Sequence, residues 1–559
     1  MAMSSVRAAS SGRSWLMGLA LACGVAGALA QPLPPVPDPA VLARQLLGAE
    51  RGVAVVAIVR DGQRVQGTAS RPEVDIDAAT AMFEIGSVSK VFTGLLLAQA
   101  VERGDLALDD RLGALLPAQI PASAPVAQLT LRQLVTHSAC LPLTLATGGP
   151  ALVQEIRGLT AAQLWAALPQ QALSGAPPCT AHYSNLGLAV LGSVLAVRYG
   201  QPWSELVRTR IAEPLGLHDT VQTLDESRRA RMLPAFDGNA AAPLWDMDAY
   251  AGAGALRSTS TDLLRFGQAL LAGRTGPLGP AAERMLTPLG AYAGGEIGYG
   301  VMVRGTPERR VYLHGGLTGG YRTLWMLMPE GRQVLVANVS NARAPLPALQ
   351  NSVLAALFPV PSVPVPVAAD RLAARAGVYR SEDGTLFRVL VHDGQLYARG
   401  GAAGFAPLVP VGEDRFARPE RGLLFQFEAE GLLRVRQGGA EHRARRSRDA
   451  VPELVIPLRQ DVADVLGRYR MANGAEFQLR EEAGQLMAKL GGQPWFPVFA
   501  RPGRRDRYVY EIVSAELQFE RDADGQVQAL VLHQNGEHRA PRISTAQGPA
   551  PLPSQRTSP

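Results

Sequence analysis

The order of apolar and polar positions divides this chain into a mixed helical and extended first part and a purely extended second part. Pro39 to Leu47 reads as a short helix, and Val53 to Val59 is a run of apolar β-formers ending at Asp61-Gly62, a strand entering a hairpin. From Val88 to Arg103, residues Val91, Leu95, Ala98 and Val101 recur at helical spacing until Gly104 stops the run. Leu129 to Val135 predicts a short helix that delivers Thr136 to Pro142 into a turn. Leu186 to Arg198 predicts an apolar helix, and Asp262 to Leu271 an amphipathic one after a cap region at Ser258 to Thr261. Short strands are expected at Gly298 to Val303, Arg310 to His314, Tyr321 to Met328 and Arg332 to Val339, with a closing helix from Pro345 to Leu357.

Pro359 to Val367 alternates Pro and Val, a stiff extended linker. Beyond it the pattern repeats: Gly377-Val378-Tyr379 returns as Gly467-Arg468-Tyr469, Asp383-Gly384 as Asn473-Gly474, Phe387 as Phe477, and Gly394-Gln395-Leu396 as Gly484-Gln485-Leu486, each ninety residues on. Short strands separated by turn residues predict two copies of a small antiparallel barrel, since closure removes exposed edges. The expected divisions are 1–30 signal peptide, 31–357 catalytic domain, 358–369 linker, 370–449 first barrel, 450–460 linker, 461–543 second barrel and 544–559 disordered tail.

Composition narrows the class. Across 559 residues, 47% are hydrophobic and 19% charged, as in globular proteins, and the length implies more than one domain. A formal charge of +6 gives weak attraction to anionic surfaces, but no basic stripe interleaved with aromatics points to nucleic acid. Arg7 and Arg13, the apolar stretch Trp15 to Ala28 and Ala28-Leu29-Ala30 before Gln31 form a secretory signal, so the mature protein is expected to be exported, secreted or periplasmic, with no membrane span. Acylation of Cys23 is the weaker alternative. Cleavage leaves Cys140 and Cys179, for which an oxidising compartment favours a disulfide; a pair of buried apolar cysteines is the competing reading.

The candidate chemistry lies at Phe83-Glu84-Ile85-Gly86-Ser87-Val88-Ser89-Lys90. Side chains three residues apart share a helix face, so the Lys90 amine can reach the Ser87 hydroxyl, a nucleophile beside a base. Of the 55 basic residues only Lys90 and Lys489 are lysines. A chain that writes positive charge as arginine uses lysine at position 90 where a cation able to lose its proton is needed. The competing reading makes Ser87 a helix cap and Lys90 a solvated first-turn residue. Tyr183-Ser184-Asn185 stands at another helix entrance, where a phenol can relay a proton and an amide can hold a carbonyl; alternatively Asn185 caps the helix and Tyr183 packs beneath it. His314-Gly315-Gly316 ends a strand whose glycines let a substrate backbone approach; the competing reading is a glycine-rich hairpin with an incidental histidine.

In this order and spacing, Ser87-Val-Ser-Lys90, Tyr183-Ser-Asn185 and His314-Gly-Gly316 resemble the motifs of the penicillin-recognising serine hydrolases, in particular the class C β-lactamase branch with its DD-peptidase, D-aminopeptidase and esterase relatives. The resemblance covers about Ala40 to Leu357. It implies an α/β (α+β) catalytic domain with an antiparallel sheet and a helical region, followed here by two β-barrel-like domains. It implies that Ser87 is acylated with Lys90 as its partner, that Tyr183 shares proton transfer and that Asn185 holds the substrate amide. His314 and Gly316 would mark the opposite strand, and the N–H groups of Ser87 and Leu317 would form the oxyanion hole. No cofactor is called for, and the eight histidines show no HExxH spacing for a metal. The expected partner is a small-molecule or peptide substrate such as a D-amino-acid peptide, a β-lactam or a cell-wall fragment. The alternatives are an esterase using the same residues, or a non-catalytic wall-binding protein on a hydrolase scaffold. His314 replaces the lysine of many β-lactamases, which weakens the hold on a substrate carboxylate unless Arg322 supplies the charge. Cys140 and Cys179 stand where the resemblance leads one to expect glycine, which favours the bridge between them.

Overall fold

In the computed structural model of the protein, the described residues are 38–543 without 74, 117, 146–155, 393, 401–404, 449–461, 483–484, 492, 494, 502–503, 505, 511–514 and 535. The signal segment 1–30, the Pro-rich leader 32–37, the joint 450–460 and the tail 544–559 lie outside them.

Helix α1 (Pro39–Leu47) has Asp38 as its cap, with Pro39 in the first turn. Strands β1 (Gly52–Arg60) and β2 (Gln63–Arg71) form the expected hairpin. The long helices are α2 (Ser89–Glu102), α3 (Asn185–Tyr199) and α4 (Ser260–Leu271). Six more strands follow: β3 (Gly290–Tyr292), β4 (Gly295–Ile297), β5 (Met302–Thr306), β6 (Arg309–Leu317), β7 (Arg322–Met328) and β8 (Gln333–Val339), then α5 (Leu346–Leu357). The sheet order is β2-β1-β8-β7-β6-β5-β4-β3, antiparallel throughout. Pairing Ala54 with Val339 brings the two ends of this unit together.

Residues Val53 to Val59 are buried on both faces of the sheet, which is why they read as a continuous apolar run. Ala57, Val59, Trp325, Leu327, Val334 and Val336 join one core with the apolar residues of α2, α3 and α4. Helix α2 is buried almost all round, from Ser89 to Ala98.

Two expectations shift. The strand placed at Gly298 to Val303 begins at Met302, because Gly298 to Val301 forms a turn in which the Gly298 N–H donates to the Val301 carbonyl. The strand expected to end at His314 runs on to Leu317, paired with Arg322 in β7, so His314 and Gly316 lie within the strand and the turn comes after them.

The second part holds two nearly closed antiparallel sheets, of nine strands between Gly377 and Arg446 and of eight between Gly467 and Pro541. The ninety-residue repeat extends to individual bonds. The Tyr379 hydroxyl donates to the Arg375 carbonyl and the Tyr469 hydroxyl to Val465, each four residues back. Asp383 and Asn473 accept from the N–H two residues on, and Gly384 and Gly474 take φ of +83° and +84°. Phe405 of the first barrel meets Phe499 of the second, with the Arg399 guanidinium 5.4 and 4.9 Å from their ring centres. The first barrel meets the β3–β4 turn and strand β5 of the large sheet: Glu441 N–H donates to the Gly294 carbonyl and Gly305 N–H to the Gly439 carbonyl.

Candidate active site

Ser87 lies in a single 3-10 turn, Gly86–Val88, that leads into α2. Gly86 has φ +49°, and a Cβ there would stand 2.8 Å from Leu317 N; a Cβ on Gly316 would stand 2.0 Å from Ile85 O. These two glycines let the end of β6 lie directly against the serine turn.

Lys90, one turn on, has no exposed surface. Its Nζ lies 3.0 Å from Ser87 Oγ and donates to Asn185 Oδ1 at 2.7 Å and to the Ala253 carbonyl at 2.8 Å. Ala253 sits in the short helix Ala251–Gly254, where a carbonyl in the last turn is free for an outside donor. Burial pushes the ammonium well below the usual lysine range. A neutral amine has two protons for Asn185 and Ala253 and a lone pair for the Ser87 hydroxyl, so three neighbours match its neutral form. The reading of Lys90 as a solvated residue is excluded by its burial.

Asn185 is not the cap of α3. Ser184 takes that place, its Oγ accepting the Gly187 N–H at 3.0 Å, which frees Asn185 to face Lys90. The helix entrance is held by two loops laid side by side. Ser184 N–H donates to His137 Nδ1, His182 N–H to the His137 carbonyl, and Cys179 N–H to the Ser138 carbonyl. Cys140 and Cys179 are joined in a disulfide across the same loops, with Cα atoms 5.4 Å apart.

Tyr183 lines the same cleft as Ser87. Lys90 Nζ is 4.9 Å from the centre of its ring, the His137 ring lies tilted against it at 4.6 Å and His314 lies at 6.2 Å. Burial raises the phenol above its usual range, so it is held as a proton carrier. Burial lowers His137 far below the histidine range and brings His314 down to about 3. His314 is therefore a neutral imidazole, its Nδ1 2.7 Å from the Gly315 carbonyl, and gives the strand no standing charge.

Two clefts meet at Ser87. The narrow one, about 30 Å³, is walled by Ile156, Trp245, Met247 and Tyr250; the wider one, about 370 Å³, by Tyr183, Gly315 to Leu317 and Arg322. Leu317 is 50% exposed on its rim. Sequence reasoning brought Ser87, Lys90, Tyr183, Asn185, His314, Gly316 and Leu317 to this place, but missed Ala253 as an acceptor and Trp245 as a wall. The cluster Ala251 to Gly254 was a usable signal for close packing. Nothing local marks Trp245, which is positioned by its backbone N–H donating to Glu84 Oε1 at 2.6 Å, while Glu84 pairs with Arg257 in the core.

The family model described as Beta-lactamase matches residues 42–357, more than half of the chain. The chain belongs to the beta-lactamase family. As a beta-lactamase family member it is a serine hydrolase, and the serine turn, the buried lysine and the opposing strand all fall within the matched segment. It is 31% identical over 357 residues to human Putative beta-lactamase-like 1, covering 57% of this chain and 68% of that protein. It is 31% identical over 230 residues to the D-alanyl-D-alanine-carboxypeptidase/endopeptidase AmpH of Escherichia coli strain K12, covering 40% of this chain and 57% of the other. It is 33% identical over 208 residues to Esterase EstB of Burkholderia gladioli, covering 35% of this chain and 52% of the other. The chain thus spans little more than half the length of these two bacterial relatives. Among the described residues no helix is long and apolar enough to cross a membrane.

Proposed function

We propose that this beta-lactamase family protein is an exported hydrolase that cleaves amide bonds of D-amino-acid peptides or β-lactams through an acyl-enzyme on Ser87. Residues 31–357 form the catalytic domain in this reading. The observation that carries it is the buried Lys90 amine, 3.0 Å from Ser87 Oγ and matched by its neighbours as a neutral base. As Ser87 Oγ bonds to the substrate carbonyl carbon, its proton passes to Lys90. The N–H groups of Ser87 and Leu317 receive the oxyanion, supported by the close approach of Gly86 to Leu317 N. The C–N bond breaks as the leaving amine takes a proton through Tyr183, and Asn185 holds the acyl-side amide. Water then attacks the ester, returning a proton to Ser87 and releasing the acid.

A D-peptide substrate is supported by the similarity to a D-alanyl-D-alanine-carboxypeptidase/endopeptidase. The experiment is labelling with a fluorescent penicillin, expected for the wild type and lost in Ser87→Ala. No labelling of the wild type, together with no turnover of D-peptides or short esters, overturns the reading. Export is supported by the Cys140–Cys179 bridge, which persists in oxidising compartments.

A second reading, an esterase acting on small acyl esters through the same residues, is favoured by the neutral His314 and by the similarity to an esterase. Short p-nitrophenyl esters turned over much faster than any D-peptide decide for it.

A further inference from the structure

We infer that the Cys140–Cys179 bridge positions Tyr183, working through His137, so that the protein cleaves amides only while the bridge is oxidised. This rests on the reading of Ser87 as the acylated residue and of Tyr183 as the proton carrier to the leaving group. Tyr183 stands between two residues that His137 holds: the His137 carbonyl accepts the His182 N–H at 2.8 Å, and its Nδ1 accepts the Ser184 N–H at 3.2 Å. The His137 ring itself lies 4.6 Å from the Tyr183 ring. One residue thus fixes the backbone on both sides of Tyr183 and the face of its ring.

His137 does this in a costly backbone shape. His137 and Cys140 have φ of +59° and +57°, the left-handed region that residues other than glycine avoid. The loop laid beside them keeps them there. Cys179 N–H donates to the Ser138 carbonyl, the Ser174 N–H and hydroxyl both donate to the Cys140 carbonyl, and the bridge joins the two loops across a sequence separation of 39. Further along the same turn, the Pro142 carbonyl accepts the Ser184 hydroxyl and the Leu143 carbonyl the Asn185 N–H. Hydrogen bonds alone let two loops part locally. The covalent tie prevents it, and with it the relaxation of Cys140 and His137 that would release Tyr183.

The bridge is also placed where it can be opened. Cys140 is buried, but Cys179 is half-buried and lines the groove of about 970 Å³ between these loops and the first barrel. A dithiol entering that groove attacks Cys179 Sγ as a thiolate; the S–S bond breaks, and Cys140 leaves as a thiolate and takes up a proton. The second thiol of the reagent then attacks the mixed disulfide, freeing Cys179 as a thiol and leaving the reagent as a cyclic disulfide. Two electrons and two protons have passed from the dithiol to the bridge. Neither Ser87 nor Lys90 lines the groove, so nucleophile and base stay in place.

The test follows N-acetyl-D-alanine as its amide with D-alanine and as its p-nitrophenyl ester, before and after dithiothreitol, with thiol titration to establish that both cysteines are free. A departing amine needs a proton and p-nitrophenolate does not, so the amide-to-ester ratio of kcat/KM reports the placement of Tyr183. Reduction is expected to lower that ratio about a hundredfold, and oxidised glutathione to restore it. Tyr183→Phe is expected to have the low ratio already and to lose no more on reduction. With the bridge intact, His137→Ala is expected to lower the ratio, and His137→Asn to keep it, because asparagine tolerates the left-handed region and offers an acceptor in place of Nδ1. Partial unfolding lowers both rates together, so a ratio unchanged by reduction overturns the inference whatever the total activity. Equal ratios in His137→Ala and the wild type overturn it too, as does a further fall on reducing Tyr183→Phe. Turnover of the ester alone by the oxidised wild type overturns it and leaves the Ser87 reading standing; turnover of neither compound overturns both.

Discussion

The catalytic cleft and the second barrel treat buried charge in opposite ways. In the second barrel, Arg521 is 14% exposed and donates to both Asp506 and Asp464. In the first, Arg375 pairs with Asp414, but the more deeply buried Arg399 lies against the rings of Phe405 and Phe499. At the cleft, Lys90 is fully buried and Arg322 half-buried, and among the described residues neither has a carboxylate partner. Paired charge fastens strands and loops together, whereas at the cleft a charge without a counter-ion is held ready for chemistry or for a ligand. The contrast also holds within the catalytic unit, because Arg257, close to Lys90 in the fold, is equally buried but pairs with Glu84 and Asp246.

Three changes test how far that contrast reaches. The largest effect is expected for Lys90→Arg, which puts a permanent cation where a neutral amine is needed and lowers the acylation rate by about 10²–10⁴-fold. In the wild type, burial places the Lys90 pKa below that of a free lysine, so acylation rises with pH through that lowered value and levels off above it. The variant should show a low rate without that rise. An acylation rate unchanged in Lys90→Arg would show that deprotonation is not used. Next, Glu84→Gln leaves a buried Arg257 short of its buried counter-ion and is expected to cost about 3 kcal/mol, measured as a lower thermal transition. Burial raises the Glu84 pKa and Arg257 only partly opposes this, so its proton is taken up at a higher pH than by an exposed glutamate. The smallest effect belongs to the second barrel: Arg521→Leu is expected to cost about 1 kcal/mol and to leave turnover at Ser87 unaltered. A loss of activity in that variant would break the division between paired and unpaired charge.

Much of the fold was legible because it depends on local patterns. The helical spacing after Val88, the β-former run at Val53 to Val59 and the ninety-residue repeat each mark an element whose burial matches its pattern. The errors lie where a distant contact overrides local preference. Gly298 to Val301 turns because Gly300, at φ +68°, lies against the Lys90 carbonyl, and β6 runs on past His314 because β7 pairs with it. The helix cap is a finer case: Ser184 and Asn185 are both good caps by type, and the loop held by His137 and Pro142 decides for Ser184.

By itself, the sequence determined which residues could carry the chemistry, because a hydroxyl and an amine one helical turn apart must share a face and because lysine is nearly absent elsewhere. It also determined the repeat, since equal turns at equal spacing need only local geometry. Only the tertiary structure decided the protonation of Lys90, His137 and His314, because desolvation is set by everything packed around a group and not by its neighbours in the chain. It alone gave Lys90 the Ala253 carbonyl and set Arg322 beside Ser87 in one cleft, bringing together residues more than 150 positions apart.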